Sequence, residues 1–361
     1  MHRFQRFFPA VALLLAACGA QQESQNVQFA GSNEPVAGVD VVALVGAADD
    51  SGEVSSFAID NNVARTETDD EGRFALAYRE DLDVPEVTGV QVTIEVPSLL
   101  SDAVGRFDFR SAIDPEQPGA DLEVVEPTPC VAGVDCGTPQ LPDLVPIIGW
   151  GDVPADVAER LRPATEGPPT AGLFPAETWF ISNEDGRRLL RFATVAANFG
   201  DGPLDVIAAP GSGESAPTWQ RIWTDMWHFE DVESGEFIFH PEHDHIHFDA
   251  FERYRLLDAS GAVVASSEKV SFCLRDSVRV VSEAPSPTGP MLVDTGDCGM
   301  QQQVINAGFG DHYHALLEDQ WIDITGIPAG DYVVEIAIDP FDNIVESDET
   351  NNIGSFPITI N

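Results

Sequence analysis

Val90-Gln91-Val92-Thr93-Ile94-Glu95-Val96 alternates apolar and polar side chains at every step. A period of two sends successive side chains to opposite faces, which is the pattern of a β-strand and not of a helix. The same pattern recurs outward from this stretch. Val39-Asp40-Val41-Val42-Ala43-Leu44 precedes it, Leu189-Leu190-Arg191-Phe192-Ala193-Thr194-Val195-Ala196-Ala197-Asn198-Phe199-Gly200 reads as a strand running into a turn, and Tyr332-Val333-Val334-Glu335-Ile336-Ala337-Ile338-Asp339 reads as another. Helical periodicity is scarce, and Val153 to Arg162 is the one decent candidate. The expected fold is all-β: a small β-sandwich over residues 27–126, a linker rich in Pro and Gly over 127–140, and a larger β-sandwich over 141–361. The last span, about 220 residues, can bury one substantial core.

The first residues read as an export signal, residues 1–17. His2, Arg3 and Arg6 give a basic start, and Val11 to Leu15 form an apolar run too short to span a bilayer. The small residues of Leu15-Ala16-Ala17-Cys18 resemble a bacterial lipobox, which implies cleavage before Cys18 and diacylation of its thiol; an ordinary signal peptide is the alternative. The expected location is outside the cytoplasm, anchored by lipid to a bacterial membrane, at the cell surface or in the periplasm. Residues 18–26 would form a tether. Setting Cys18 aside, an even number of cysteines remains, consistent with two disulfides in an exported chain. Proximity favours Cys130 with Cys136, leaving Cys273 with Cys298.

A formal net charge of -43, from 61 acidic against 18 basic residues, disfavours nucleic acid and anionic membrane surfaces as partners. It favours cationic partners, amines among them, although adaptation to salt produces the same composition.

Chemistry concentrates between Phe239 and Cys273. His240-Pro241-Glu242-His243-Asp244-His245-Ile246-His247 is followed by Glu268-Lys269-Val270-Ser271-Phe272-Cys273, and Lys269 is the only lysine in the chain. An amine kept where every other basic side chain is arginine suits a role that a guanidinium cannot fill. On a strand, His243, His245 and His247 leave one face, with neighbouring side chains starting about 7 Å apart and the outer two about 13 Å apart, so convergence on one ion requires a twist or bulge. Three imidazoles with little sulfur suit copper, zinc or nickel, and the Irving–Williams order favours copper. His240 is open to three roles: ligand, supporting group or base.

These residues carry a resemblance. The histidine run, then Phe251-Glu252-Arg253-Tyr254-Arg255-Leu256-Leu257-Asp258, Lys269-Val270-Ser271-Phe272-Cys273-Leu274, Asp311-His312-Tyr313-His314-Ala315 and Gln320-Trp321-Ile322-Asp323-Ile324-Thr325 resemble, in collinear order over about Leu141 to Asn361, the catalytic domain of lysyl oxidases. The resemblance implies copper on His243, His245 and His247, and a lysine tyrosylquinone built from Lys269 and Tyr313. The neutral Lys269 amine would add to the oxidised ring of Tyr313, for which arginine is too basic. The implied reaction is oxidative deamination of primary amines, peptidyl lysine or small amines, with dioxygen as oxidant, giving aldehyde, ammonia and hydrogen peroxide. Glu346-Ser347-Asp348-Glu349-Thr350-Asn351-Asn352 matches the family's C-terminal motif, implying a structural calcium held by Asp143, Glu346, Asp348, Asn351 and Asn352. Separately, Glu34-Pro35-Val36-Ala37-Gly38-Val39 and Thr66-Glu67-Thr68-Asp69-Asp70-Glu71-Gly72-Arg73-Phe74 resemble carboxypeptidase regulatory-like, prealbumin-type domains, which serve as spacers or adhesive modules.

The chain also departs from the lysyl oxidase pattern. Phe239 stands where tryptophan is usual, Glu242 where the histidine run carries a cysteine, and Arg253 where the animal enzymes have a histidine proposed as base. The step from His247 to Phe251 is one residue short. Cys298 must therefore pair differently, with Cys273 as the candidate, and His240, His312, His314 and Asp249 are the substitutes for the base. Two other readings stand beside the oxidase: a metal-binding or adhesive surface lipoprotein without turnover, and a zinc hydrolase, which leaves Lys269 and Tyr313 without a role.

Overall fold

The computed structural model describes residues 25–30, 32, 34–48, 54–58, 65–74, 89–98, 100–112, 122–147, 179–210, 214–225, 227–241, 244–267, 270–280, 292 and 298–361. Among them the fold is all-β, with no helix. The helix candidate at Val153–Arg162, the signal segment, Cys18, His243 and Lys269 lie outside the described residues. Two compact units are present, one of residues 1–96 with 106–127 and one of 97–105 with 128–361.

In the first unit, Asp40–Ala48 pairs antiparallel with Val54–Ala58, Arg65–Glu67 and Gly89–Pro97. The alternation at Val90–Val96 is a strand as expected, yet Gln91 and Thr93 are buried along with the valines. The Thr66–Phe74 turn shows why its residues are there. Asp69 Oδ1 accepts from the backbone N–H groups of Glu71 and Arg73, and Gly72 takes a φ of +73°, where an added Cβ would lie 2.5 Å from the Val27 carbonyl oxygen.

The second unit is built of antiparallel ladders, apart from the parallel pairing of Thr128–Pro129 with His228 and Phe229. Its largest sheet pairs, in order, His245–Phe248, His228–His240, Ser215–Thr224, Leu204–Ala208 and Gln302–Ile305, with Pro139–Gln140 and Thr128–Pro129 added at its side. The segment 128–140, a linker by composition, is thus hydrogen-bonded into this sheet at both ends. Three further sheets carry Thr194–Asn198 beside Phe309–Tyr313, Arg187–Phe192 beside Trp321–Asp323, and Glu252–Leu257 beside Gly330–Ile338. One apolar core draws on all four sheets, including Phe192, Phe237, Phe248, Tyr254, Ile322 and Ile336.

The long Leu189–Gly200 run is divided at Ala193 into two strands, Arg187–Phe192 and Thr194–Asn198, which join different sheets. Inside the largest sheet, Arg221 forks onto Asp231 at 2.8 and 3.0 Å with both side chains buried. Removing either partner would strand a buried charge, at a cost of about 3–5 kcal/mol. Both expected disulfides are formed, Cys130–Cys136 and Cys273–Cys298.

Candidate functional site

The histidines sit at the closed end of a hairpin between His228–His240 and His245–Phe248, in which His240 lies opposite His245 and Ile238 opposite His247. Expectation and structure differ in one respect: the strand does not run through the histidine cluster. It begins at His245, because Asp244 adopts a left-handed φ of 56° and belongs to the preceding turn. His245 and His247 share a face, with their Nε2 atoms 2.9 Å apart. The His240 ring lies 4.7 Å from that of His247. His247 is buried, and its Nδ1 meets Ser271 Oγ at 3.2 Å, which fixes the ring and leaves Nε2 turned toward His245.

Ser271 belongs to a short segment that connects the histidines to Tyr313. Phe272 exchanges both backbone hydrogen bonds with Phe248, at 2.7 and 3.0 Å. The next residue, Cys273, accepts the Tyr313 hydroxyl proton at its carbonyl, 2.6 Å away. Tyr313 stands edge-on to the Phe272 ring at 4.7 Å. The disulfide closes the circuit, since Cys298 accepts from the backbone N–H of Ile246, between the two histidines, at 3.2 Å. Ser271, Phe272 and Cys273 follow Lys269 by two, three and four residues. The chain that carries the single lysine thus touches His247 with one side chain and Tyr313 with the carbonyl two positions later.

Behind Tyr313 lies a buried polar network that the sequence reading missed. Tyr254 donates to Glu252 Oε2 at 2.5 Å and also meets Thr194 Oγ1 and Gln320 Nε2, each at 3.1 Å. Asp311, 1 % exposed, accepts from Ser277 Oγ at 2.8 Å. Burial pushes the Tyr313 phenol well above its usual range, and the carboxyls of Asp311 and Glu252 push it further in the same direction. Burial likewise lifts Asp311 well above the carboxylate range. A signal was available for Asp311: its two-residue spacing from Tyr313 on a strand sends both side chains to one face.

The substitutes for the base are distributed unevenly. His312 leaves the Phe309–Tyr313 strand on the face opposite Tyr313, and burial with the neighbouring His314 lowers it to about 4. His314 is exposed and accepts from the Leu316 N–H at 3.1 Å. Asp249 lines a separate open cleft with Gly235, Glu236 and Asn343. Arg253 leaves its strand on the face opposite Glu252 and Tyr254. Of the four substitutes, only His240 is placed with the histidine pair.

The C-terminal oxygen cluster is also assembled. Glu346 is buried, accepting from the Leu144 N–H at 2.5 Å and from Asn352 Nδ2 at 2.6 Å. Asp143 Oδ1 accepts from Asn351 Nδ2 at 2.7 Å. The Oδ1 atoms of Asn351 and Asn352 are buried with no hydrogen-bond partner. Burial pushes Glu346 up to about 9. Two buried carboxyls and two unfilled amide oxygens suit a hard cation, whose charge would hold Glu346 ionised. Asp348 is the outlying member: it is exposed, and its Oδ1 accepts from the Thr350 N–H and hydroxyl.

Among the described residues, no group of three or more His, Cys, Asp and Glu side chains converges as a metal site. The donors present do fit a metal centre in part. Two imidazole nitrogens 2.9 Å apart subtend about 90° at an ion about 2.0 Å from each, a spacing suited to a tetragonal nitrogen site.

A lysyl oxidase family model matches residues 176–360, 185 of the 361 residues. The chain belongs to the lysyl oxidase family. It is 32% identical over 168 residues to lysyl oxidase homolog 2 of Bos taurus and of Homo sapiens, covering 46% of this chain and 18% of each relative. Lysyl oxidase homolog 2B of Danio rerio is 35% identical over 124 residues, 34% of this chain and 15% of that protein. The chain thus spans less than a fifth of the length of these relatives. Family membership supports an amine oxidase type of function broadly, and the family uses copper and lysine tyrosylquinone.

Proposed function

We propose that this chain is a copper- and quinone-dependent amine oxidase that converts primary amines, peptidyl lysine or small amines, to aldehyde, ammonia and hydrogen peroxide. The observation that carries the reading is the segment Ser271–Cys273, which follows the single lysine and joins His247 on one side to Tyr313 on the other. His243, His245 and His247 would hold copper, which supplies the one-electron chemistry with dioxygen that turns Tyr313 and Lys269 into the quinone cofactor.

The chain's own residues do the rest. Ser271 holds His247 in the orientation that directs Nε2 toward His245. Phe272 and the Cys273 carbonyl hold the ring and hydroxyl of Tyr313 in one pose, so that the phenol is oriented before any reaction. The disulfide to Cys298 keeps this segment against the histidine hairpin. The surrounding acidic charge raises the local concentration of cationic amines. A calcium ion on Asp143, Glu346, Asp348, Asn351 and Asn352 would tie residue 143 to the last strand. Diacylation of Cys18 would place the enzyme on a membrane facing away from the cytoplasm, with the first unit as a prealbumin-type spacer.

Peptide mapping by mass spectrometry of the copper-loaded, aerobically matured chain, fully reduced and compared with a metal-free control, tests this reading. Trypsin frees Leu256–Lys269 from the metal-free control and fails at Lys269 in the matured chain, where a reduction-resistant link joins Lys269 to Tyr313. Free Lys269 in copper-replete protein would overturn the oxidase and favour the metal-binding lipoprotein.

A further inference from the structure

Asp311 and Tyr313 leave the Phe309–Tyr313 strand on one face and are both buried. On the paired strand, Thr194 lies opposite Tyr313 and Ala196 opposite Asp311, so the smaller side chain faces the carboxyl. One Asp311 oxygen, Oδ1, accepts from Ser277 at 2.8 Å. The other, Oδ2, is buried and has no hydrogen-bond partner among the described residues. A buried oxygen left without a donor is costly, and native folds retain few of them. The groups that act on this carboxyl are Ser277, the Tyr313 phenol, Glu252 and Arg275. The phenol meanwhile donates its hydrogen bond to a main-chain carbonyl, Cys273 O at 2.6 Å, which can accept a hydrogen bond but cannot take up the proton.

We propose that Asp311 is the catalytic residue that accepts the phenolic proton of Tyr313, at its unfilled Oδ2, when the ring is activated for conversion to the quinone. The inference rests on the reading of Tyr313 as the quinone precursor. In this step the Tyr313 Oη–H bond breaks and an Asp311 Oδ2–H bond forms. The negative charge passes from carboxylate to phenolate, and no electrons leave either group. Burial raises the proton affinity of the carboxyl, as it raises that of the phenol, so Asp311 is a stronger proton acceptor than an exposed aspartate would be. Ser277 holds the other oxygen, so that Oδ2 is the atom left for the proton.

The test uses the full chain, loaded with copper under argon and then exposed to dioxygen, with the Lys269–Tyr313 link followed by mapping of quenched, reduced samples. Asp311→Asn binds copper as the parent does but forms the link at least about a hundredfold more slowly; an unchanged rate overturns the inference. Ser277→Ala, which keeps the carboxyl and removes its donor, links readily at alkaline pH and loses rate at a higher pH than the parent. Should Asp311→Asn fail to fold, an unshifted pH profile in Ser277→Ala overturns the inference by itself. If the parent never forms the link, the quinone reading falls and this inference falls with it, whereas a parent that links alongside an equally fast Asp311→Asn overturns the inference alone.

Discussion

The turn end of the histidine hairpin and the C-terminal loop around Glu346 both gather donor atoms, but of different kinds and in different company. The first collects imidazole nitrogens at the closed end of a hairpin, one hydrogen-bonded segment away from a buried phenol. The second collects carboxylate and amide oxygens, and its partners are the main chain at Leu144 and the side chain of Asp143, some two hundred positions earlier in the sequence. Nitrogen donors beside an oxidisable ring make a place for chemistry. Oxygen donors that bridge the two ends of a domain make a fastening.

Removing the phenol breaks this contrast most sharply. Tyr313→Phe keeps the ring edge-on to Phe272 and loses the hydrogen bond to Cys273, at a stability cost of about 1 kcal/mol. Amine-dependent release of hydrogen peroxide is expected to fall to background while copper content stays at the parental level. Turnover retained by this variant would remove Tyr313 from the chemistry.

How much of this could be read from the chain depends on which force placed each residue. The strands over Val90–Val96 and Tyr332–Ile338 were legible because their patterns follow a local periodicity. The disulfides were legible because four cysteines leave few pairings. The histidine hairpin was legible in composition but not in shape, since the left-handed Asp244 that precedes the second strand has no periodic signature. Least legible were Ser277, Asp311 and the network of Glu252, Tyr254, Thr194 and Gln320, where every contact except the one between Glu252 and Tyr254 joins residues distant in sequence. The alternation of Asp311 with Tyr313 gave a direction for the carboxyl, and only the fold supplied what it faces.

The fastening role proposed for the second cluster can be tested by removing the cation. A cation held there at a hundred times its dissociation constant stabilises by about 2.7 kcal/mol, so chelation by EGTA is expected to lower the melting temperature by roughly 5–10 °C for a domain of this size. Copper content should not change. Chelation that left the melting curve in place while abolishing turnover would give this cluster a part in the chemistry and erase the contrast between the two corners.

The smallest expected effect lies in the acid limb of stability. His312 is lowered from 6.5 to about 4 by burial and by His314, so between those values the unfolded chain binds a proton that the folded chain does not. Its contribution is complete above about pH 6.5 and is lost as pH falls toward 4. Glu346 leans the other way: it is raised from 4.5 to about 9, and with no cation beside it, stability is lost as pH rises through that window. His312→Gln should therefore flatten the acid-side loss by on the order of 1–2 kcal/mol, less than the full shift because the ring is only partly buried and solvent screens it. Denaturant melts of parent and variant at pH 4, 5.5 and 7 measure it. An unchanged acid slope in the variant would assign the acid sensitivity of the fold to other groups and leave His312 as a bystander to Tyr313.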